Sequence, residues 1–306
     1  MIIHIFIINP MAGGRDRSES IRKFLERKEH FQYLVFDTEK QGHERELVQK
    51  MLKLFEGDEV RFYVCGGSGT FYNCISAIED PGKVELAHYP CGATNDFLKV
   101  FGRSRKLFYN MDNLIRGEVR QMDYLKCTGA NAAIFLSAGI TANVERIARN
   151  QRLVMSASSG FAYYIAFFLT FLWNPSIDYA IEIDGVDYSG EYGMIYVGNG
   201  LYMGGIYCPF PEADPTDGKM EILLLKRIPN TRLIRFMQYF QKGTLDKMSD
   251  SVIILQAEKI TIRRKDEKDM MFNCDGDMIH SKHMQCEMIK GGMSYVVPRG
   301  TELFQK

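Results

Sequence analysis

Three short, mainly apolar runs, Ile2 to Ile8, Tyr33 to Phe36 and Val60 to Val64, interrupted only by His4 and Arg61, alternate with three longer stretches of helical pattern, Ser18 to Lys28, Glu44 to Phe55 and Phe71 to Ile78. Strands that are apolar without alternation are buried on both faces, and helices of one-sided pattern between them supply the cover. The order therefore predicts a βαβαβα unit with a parallel sheet. In open sheets of this kind ligands meet the carboxyl ends of the strands. The loops Asn9 to Gly14 and Gly66 to Thr70 fall at such ends, and a further strand, Val84 to Tyr89, leads into a third, Pro90 to Leu98.

After about Asp123 the texture changes to short strands: Tyr124 to Cys127, Ala132 to Leu136, Tyr179 to Ile183, Tyr188 to Val197, Lys219 to Leu225, Val252 to Ile254, Lys259 to Arg263 and Met270 to Cys274. Helical stretches at Ser158 to Trp173 and Thr231 to Gln241 interrupt them. Strands at this spacing, joined by Gly, Asn and Asp turns, predict an antiparallel sandwich or barrel, with a domain junction near Gly117 to Asp123.

A chain of 306 residues has room for two domains, and Lys plus Arg equals Asp plus Glu at 38 each, so no basic field attracts nucleic acid. Seven cysteines, Cys65, Cys74, Cys91, Cys127, Cys208, Cys274 and Cys286, include no C-x-x-C pair, which indicates neither a disulfide framework nor a zinc site and fits a reduced, cytoplasmic setting. The apolar N-terminus lacks a basic leader and reads as a first strand rather than a signal peptide. Phe161 to Trp173 falls short of the about 18 to 20 residues that span a bilayer and reads as a buried or interfacial helix.

Chemistry gathers at the strand ends. In Gly66-Gly67-Ser68-Gly69-Thr70 glycine lets backbone N–H groups approach an anion while the following helix directs its positive end toward it. Asn9-Pro10-x-x-Gly13, Pro90-x-Gly92-x-x-Asn95-Asp96-Phe97, Asp214-x-x-Asp217-Gly218 and Asp275-Gly276-Asp277 follow in order along nearly the whole chain. Together the five resemble the soluble bacterial diacylglycerol kinase and lipid kinase family, related to sphingosine kinases.

The resemblance implies a two-domain fold. An NAD kinase-like α/β domain with a parallel sheet would occupy 1–123, with the tail 293–306 packing back on it, and an all-β antiparallel sandwich would occupy 124–292. It implies ATP-dependent phosphorylation of a lipid hydroxyl, diacylglycerol by default, with ATP and Mg²⁺ in the cleft between the domains. Asn9, Gly13, Thr38, Gly66, Gly67, Ser68, Gly69, Thr70, Asn73, Thr94 and Asn95 would meet the nucleotide. Asp96, Asp123 and Asp277 would place Mg²⁺, with Asp277 as base toward the substrate hydroxyl and Asp275 its neighbour. Asp214, Asp217 and the Lys219 carbonyl would form a separate structural metal site, or an ion-free turn. Expected partners are a lipid substrate at a membrane surface, reached peripherally from the cytoplasmic side, and a second copy in a homodimer; no nucleic acid is expected.

Three positions depart from the family pattern. Ser68 stands where an aspartate usually helps organise Mg²⁺, Ala93 where a threonine contacts nucleotide, and Asp277 where a longer glutamate is usual. The first leaves the metal site one charge poorer and gives weight to two alternatives: a nucleotide-binding regulator of little activity, or a small-molecule kinase of the same superfamily. Read singly, Asp275-Gly276 is hairpin chemistry, Asp96 a helix N-cap and Asp123 a strand end. None of the six histidines is assigned a catalytic part.

Overall fold

The computed structural model describes residues 2–139 and 176–303. The aromatic stretch Phe161 to Trp173 lies outside them. The chain forms two compact units, one of residues 1–124 with 290–306 and one of residues 125–289.

In the first unit β1 (Ile3–Ile8), β2 (Tyr33–Asp37), β3 (Val60–Gly66) and β4 (Glu85–Pro90) form a parallel sheet in the order β4-β3-β1-β2. All seven residues of β3 are buried, Arg61 among them through its ion pair with Glu85. The helices α1 (Ser18–Glu26), α2 (His43–Leu54) and α3 (Ser68–Ser76) connect the strands. Their buried residues repeat at helical spacing, Ile21 and Leu25 in α1 and Leu47, Val48 and Met51 in α2, so each lays one apolar face inward. A 3-10 segment, Phe97–Tyr109, kinks at Gly102 and leads into α4 (Met111–Ile115), which Asn110 caps through its side chain.

Two strands pass from one unit to the other: β5 (Glu118–Cys127) and β16 (His283–Val297). The last residues of β16 join the first unit's sheet, parallel to β4, with Tyr295 opposite Leu86. Tyr295 is buried among Phe71, Phe97, Phe101 and Phe108. Asp123 of β5, fully buried, accepts the Gly291 N–H at 2.6 Å, where β16 turns through a residue of positive φ.

The second unit is antiparallel. Among the described residues it comprises β6 (Ala130–Ala133), β7 (Phe135–Gly139), β8 (Ile177–Ile183), β9 (Val186–Asp187), β10 (Gly190–Gly198), β11 (Met220–Lys226), β12 (Val252–Ala257), β13 (Lys259–Arg264), β14 (Met270–Cys274) and β15 (Asp277–Ser281), with one long helix, α5 (Asn230–Lys242). The first residues of β10 pair with β8 and its last five with β7, while its other edge carries β11 across an irregularity between Tyr192 and Met194. One strand serving two partners in this way is how layers of a sandwich share a strand. Met220, Ile222 and Leu224 point into one apolar cluster with Ile195, Ile260, Ile262 and Phe272. Helix α5 buries Leu233, Phe236, Met237 and Phe240 and ends on Gly243 in the left-handed conformation.

The fold class is the one the sequence pattern predicts. One cysteine expectation is corrected: Cys127 and Cys286, 159 positions apart, form a disulfide between β5 and β16. Spacing along the chain holds no trace of a pair that only strand adjacency creates. The other five cysteines are buried and lie outside any disulfide.

Candidate functional site

Backbone packing draws the loops after β1, β3 and β4 together. Gly13 has φ +68°, and a Cβ there would stand 2.4 Å from the Cys91 carbonyl oxygen. A Cβ on Gly92 would lie 2.2 Å from the Gly67 Cα, and one on Gly66 would strike the Thr70 side chain at 2.4 Å. Hydrogen bonds fasten the same contacts. The Asn9 amide donates to Thr70 Oγ1 at 2.9 Å, and its carbonyl side takes the Met11 N–H. The N–H groups of Cys91 and Gly92 both donate to the Gly66 carbonyl, and Asn95 Nδ2 donates to the Gly92 carbonyl at 3.0 Å.

Ser68 fastens the turn to the third loop twice. Its N–H donates to the Thr94 carbonyl at 3.0 Å, and its hydroxyl accepts the Asp96 N–H at 2.8 Å. Its oxygen thus acts within the backbone network of a buried turn. The first-turn amides of α3 are among those that no helix satisfies internally. Gly69 stands at the second position of α3, without positive φ and with nothing within 4 Å of where its Cβ would be. Neither the backbone nor packing requires glycine there.

Other residues singled out from sequence sit further from these turns or are already engaged. The amide of Asn73 lies between α2 and α3, donating to Glu44 at 2.6 Å and accepting from Arg45 at 2.7 Å. The Thr38 N–H donates to the Ile8 carbonyl, which places Thr38 just past the end of β2. Asp96 is buried and pairs with the Lys99 ammonium at 2.8 Å, and its side chain makes no cap bond. Arg17 bonds the Tyr89 side chain, and its charge acts on Cys91 at the third loop.

In the second unit, Asp275 and Gly276 form the two-residue turn between β14 and β15, both at positive φ, with Cys274 opposite Asp277. The two Asp275 oxygens accept the N–H groups of Ile134 and Phe135 at 2.7 and 2.8 Å. Asp277 opens β15, half-buried. Burial, with the charges of Asp275 and Asp277 behind it, pushes the Cys274 thiol far up. Asp214 Oδ1 accepts the N–H and hydroxyl of Thr216 at 2.9 and 2.6 Å, and Asp217 Oδ1 accepts the Lys219 N–H at 2.8 Å. That is the hydrogen bonding of an Asx turn.

In the first unit Asp96 faces an ammonium, Asp123 holds a backbone N–H and Ser68 contributes a neutral oxygen already used as an acceptor. Among the described residues no three His, Cys, Asp or Glu side chains gather as metal ligands. Also among them, no helix is long and apolar enough to cross a membrane.

Sequence reasoning passed over His88 and Lys99. His88 is a fully buried residue of β4 whose Nε2 stands 3.3 Å from the Gly66 carbonyl, and burial pushes its pKa down to about 4. An uninterrupted strand pattern gives no sign of it.

The geometry has counterparts. The model of the diacylglycerol kinase catalytic domain matches residues 4–127, and that of the YegS C-terminal NAD kinase beta sandwich-like domain matches residues 134–297. A provisionally named lipid kinase of Staphylococcus carnosus is 23% identical over 232 residues, 75% of this chain and 74% of its own. Another from Staphylococcus aureus strain MSSA476 is 27% identical over 230 residues, 74% and 73% of the two chains. The crystal structure of a provisionally named diacylglycerol kinase from Bacillus anthracis superposes with a TM-score of 0.75 at 22% identity, covering 98% of both chains. An NAD kinase from Archaeoglobus fulgidus in complex with ATP reaches 0.50 at 12% identity over 98% of this chain and 94% of its own. At such identities the two structures speak for the fold.

Proposed function

The chain belongs to the family of diacylglycerol kinase catalytic domains joined to a YegS-type β-sandwich, and from that premise we propose that it is an ATP-dependent lipid kinase with a diacylglycerol-like acceptor. Gly69 carries the reading of the phosphate site. Glycine inside a helix costs about 0.5 to 1 kcal/mol relative to alanine, and here neither strain nor crowding explains it. Close approach of an anion to the helix start does. The amides of Gly69 and Thr70, with Asn9 behind Thr70, are the donors proposed for the ATP phosphates. Arg17 lies at the same strand ends and supplies positive charge.

In the proposed transfer the lipid hydroxyl oxygen bonds to the γ-phosphorus and the bond from that phosphorus to the β-bridging oxygen breaks, leaving ADP. The hydroxyl proton passes to a carboxylate, a part assigned to Asp277. Asp275 holds the hairpin that carries it. Magnesium would arrive bound to ATP, and no step is assigned to a protein-held ion.

A second reading is favoured by the Ser68 and Lys99 arrangement: a nucleotide-binding regulator with little turnover. One set of proteins separates the two. Gly69→Ala is expected to raise thermal stability, by up to about 1 kcal/mol, while weakening ATP binding measured by calorimetry. Unchanged ATP affinity in that variant would break the phosphate reading. Phosphorylation of diacylglycerol in mixed micelles that Asp277→Asn abolishes supports the kinase. ATP binding without turnover, with turnover gained in Ser68→Asp, supports the regulator.

A further inference from the structure

We propose that His88 is a positioning residue of the glycine-rich turn: its ring holds the Gly66 carbonyl and the first turn of α3 so that the amides of Gly69 and Thr70 face outward. The inference rests on the phosphate reading of that turn and adds the device that keeps it open.

His88 lies on β4 opposite Val64 of β3, two residues before the strand ends. Its Nε2 reaches the Gly66 carbonyl at 3.3 Å. The ring is parallel to that of Phe71 in α3, at 4.8 Å between centroids and 5° between planes. One side chain therefore touches both the last residue of the strand and the first turn of the helix.

The Gly66 carbonyl is the decisive atom. Four residues before Thr70, it is the acceptor that the Thr70 N–H would take if the helix began earlier. Instead its donors come from the β4 side: the N–H groups of Cys91 at 2.8 Å and Gly92 at 3.2 Å, and His88 Nε2. The first backbone bond of this helical turn runs from Phe71 to Gly67. Holding the carbonyl toward β4 keeps Thr70 from closing the helix backward, and the N–H remains an anion donor.

The arrangement has a cost that packing alone would not maintain. His88 Nδ1 is buried with no hydrogen-bond partner among the described residues, and an orphaned polar atom is destabilising. Valine or isoleucine at that strand position would avoid it. Burial holds the ring neutral at ordinary pH, so Nε2 carries the proton that Gly66 accepts.

The test compares wild type with His88→Phe, which keeps the stack on Phe71 and loses the donor, and His88→Gln, whose amide nitrogen can stand near Nε2. Hydrogen exchange of the ligand-free proteins is read peptide by peptide. In His88→Phe, exchange across Gly66 to Phe71 is expected to rise about tenfold, the worth of one hydrogen bond. Protection elsewhere in the first unit stays as in wild type, the Kd for ATP rises by a similar factor, and His88→Gln recovers most of both. Equal protection and equal Kd in wild type and His88→Phe overturn the proposal. So does an even loss of protection through the whole unit, which marks an ordinary core residue. Wild type that binds no ATP overturns the phosphate reading itself, and local loosening in the exchange data would then leave His88 as a support of the turn alone.

Discussion

In the first unit, Gly13, Gly66, Gly67 and Gly92 are glycine because a neighbouring backbone or side chain stands where a Cβ would go. In the second unit, Asp275-Gly276 is Asp-Gly because a two-residue hairpin needs positive φ at both positions, and the Asp275 carboxylate is occupied by two backbone N–H groups. The first motif is fixed by close backbone packing, and the second consumes its own charge. A motif made of backbone is ready for a ligand when its packing is satisfied. A motif made of side chains must be checked for what those side chains already hold.

The sharpest attack on the first region is Gly92→Ala. The added methyl would overlap the Gly67 Cα, and overpacking of this severity reaches about 3 kcal/mol. Chemical denaturation should register that loss, and ATP binding should disappear with it. If Gly92→Ala folds with wild-type stability, the loops do not meet as described.

Acid should also weaken the first region. Burial lowers the folded His88 pKa to about 4 against an ordinary 6.5, so between those values the unfolded chain binds the proton and the folded chain does not. Stability attributable to His88 is complete above about 6.5 and falls as the pH drops, by about 3 kcal/mol at pH 4. His4, half-buried and also lowered to about 4 by burial and then by Arg61, adds a smaller decline of the same sign. Denaturation midpoints followed from pH 7 to 4 should fall less steeply in His88→Phe. An identical slope in the two proteins would mean that the ring is not buried neutral.

The second region answers to a smaller change. Asp275→Ala leaves the Ile134 and Phe135 N–H groups without acceptors, at about 2 kcal/mol, and exchange protection should drop around β7 and β14. Asp277→Asn should leave stability within about 0.5 kcal/mol. If the two substitutions cost the same stability, the division of labour within the hairpin is wrong.

These contrasts explain which features were legible in the sequence. The α/β pattern and the later short strands could be read because each strand or helix carries its own periodicity. Strand β15 and the long strand β16 do not stand out in the sequence: the first has only Met278 and Ile279 as apolar residues, and the second is broken in pattern by Gly291-Gly292 and by His283, Lys290 and other polar residues. The glycines could be read because their reason is local backbone. The engagement of Asp275 with Ile134 and Phe135, of Asp96 with Lys99 and of His88 with Gly66 could not, because two of these three depend on residues brought from elsewhere in the fold and the third on a side-chain rotamer. In sequence Ser68 is a missing charge; in the fold its hydroxyl accepts the Asp96 N–H.

The most direct measurement is a titration of the isotopically labelled protein with ATP, following backbone amide resonances. The account predicts that Gly69 and Thr70 shift first and furthest, with Gly67, Met11 and Gly92 moving less. Saturable binding that leaves Gly69 and Thr70 unmoved would contradict it.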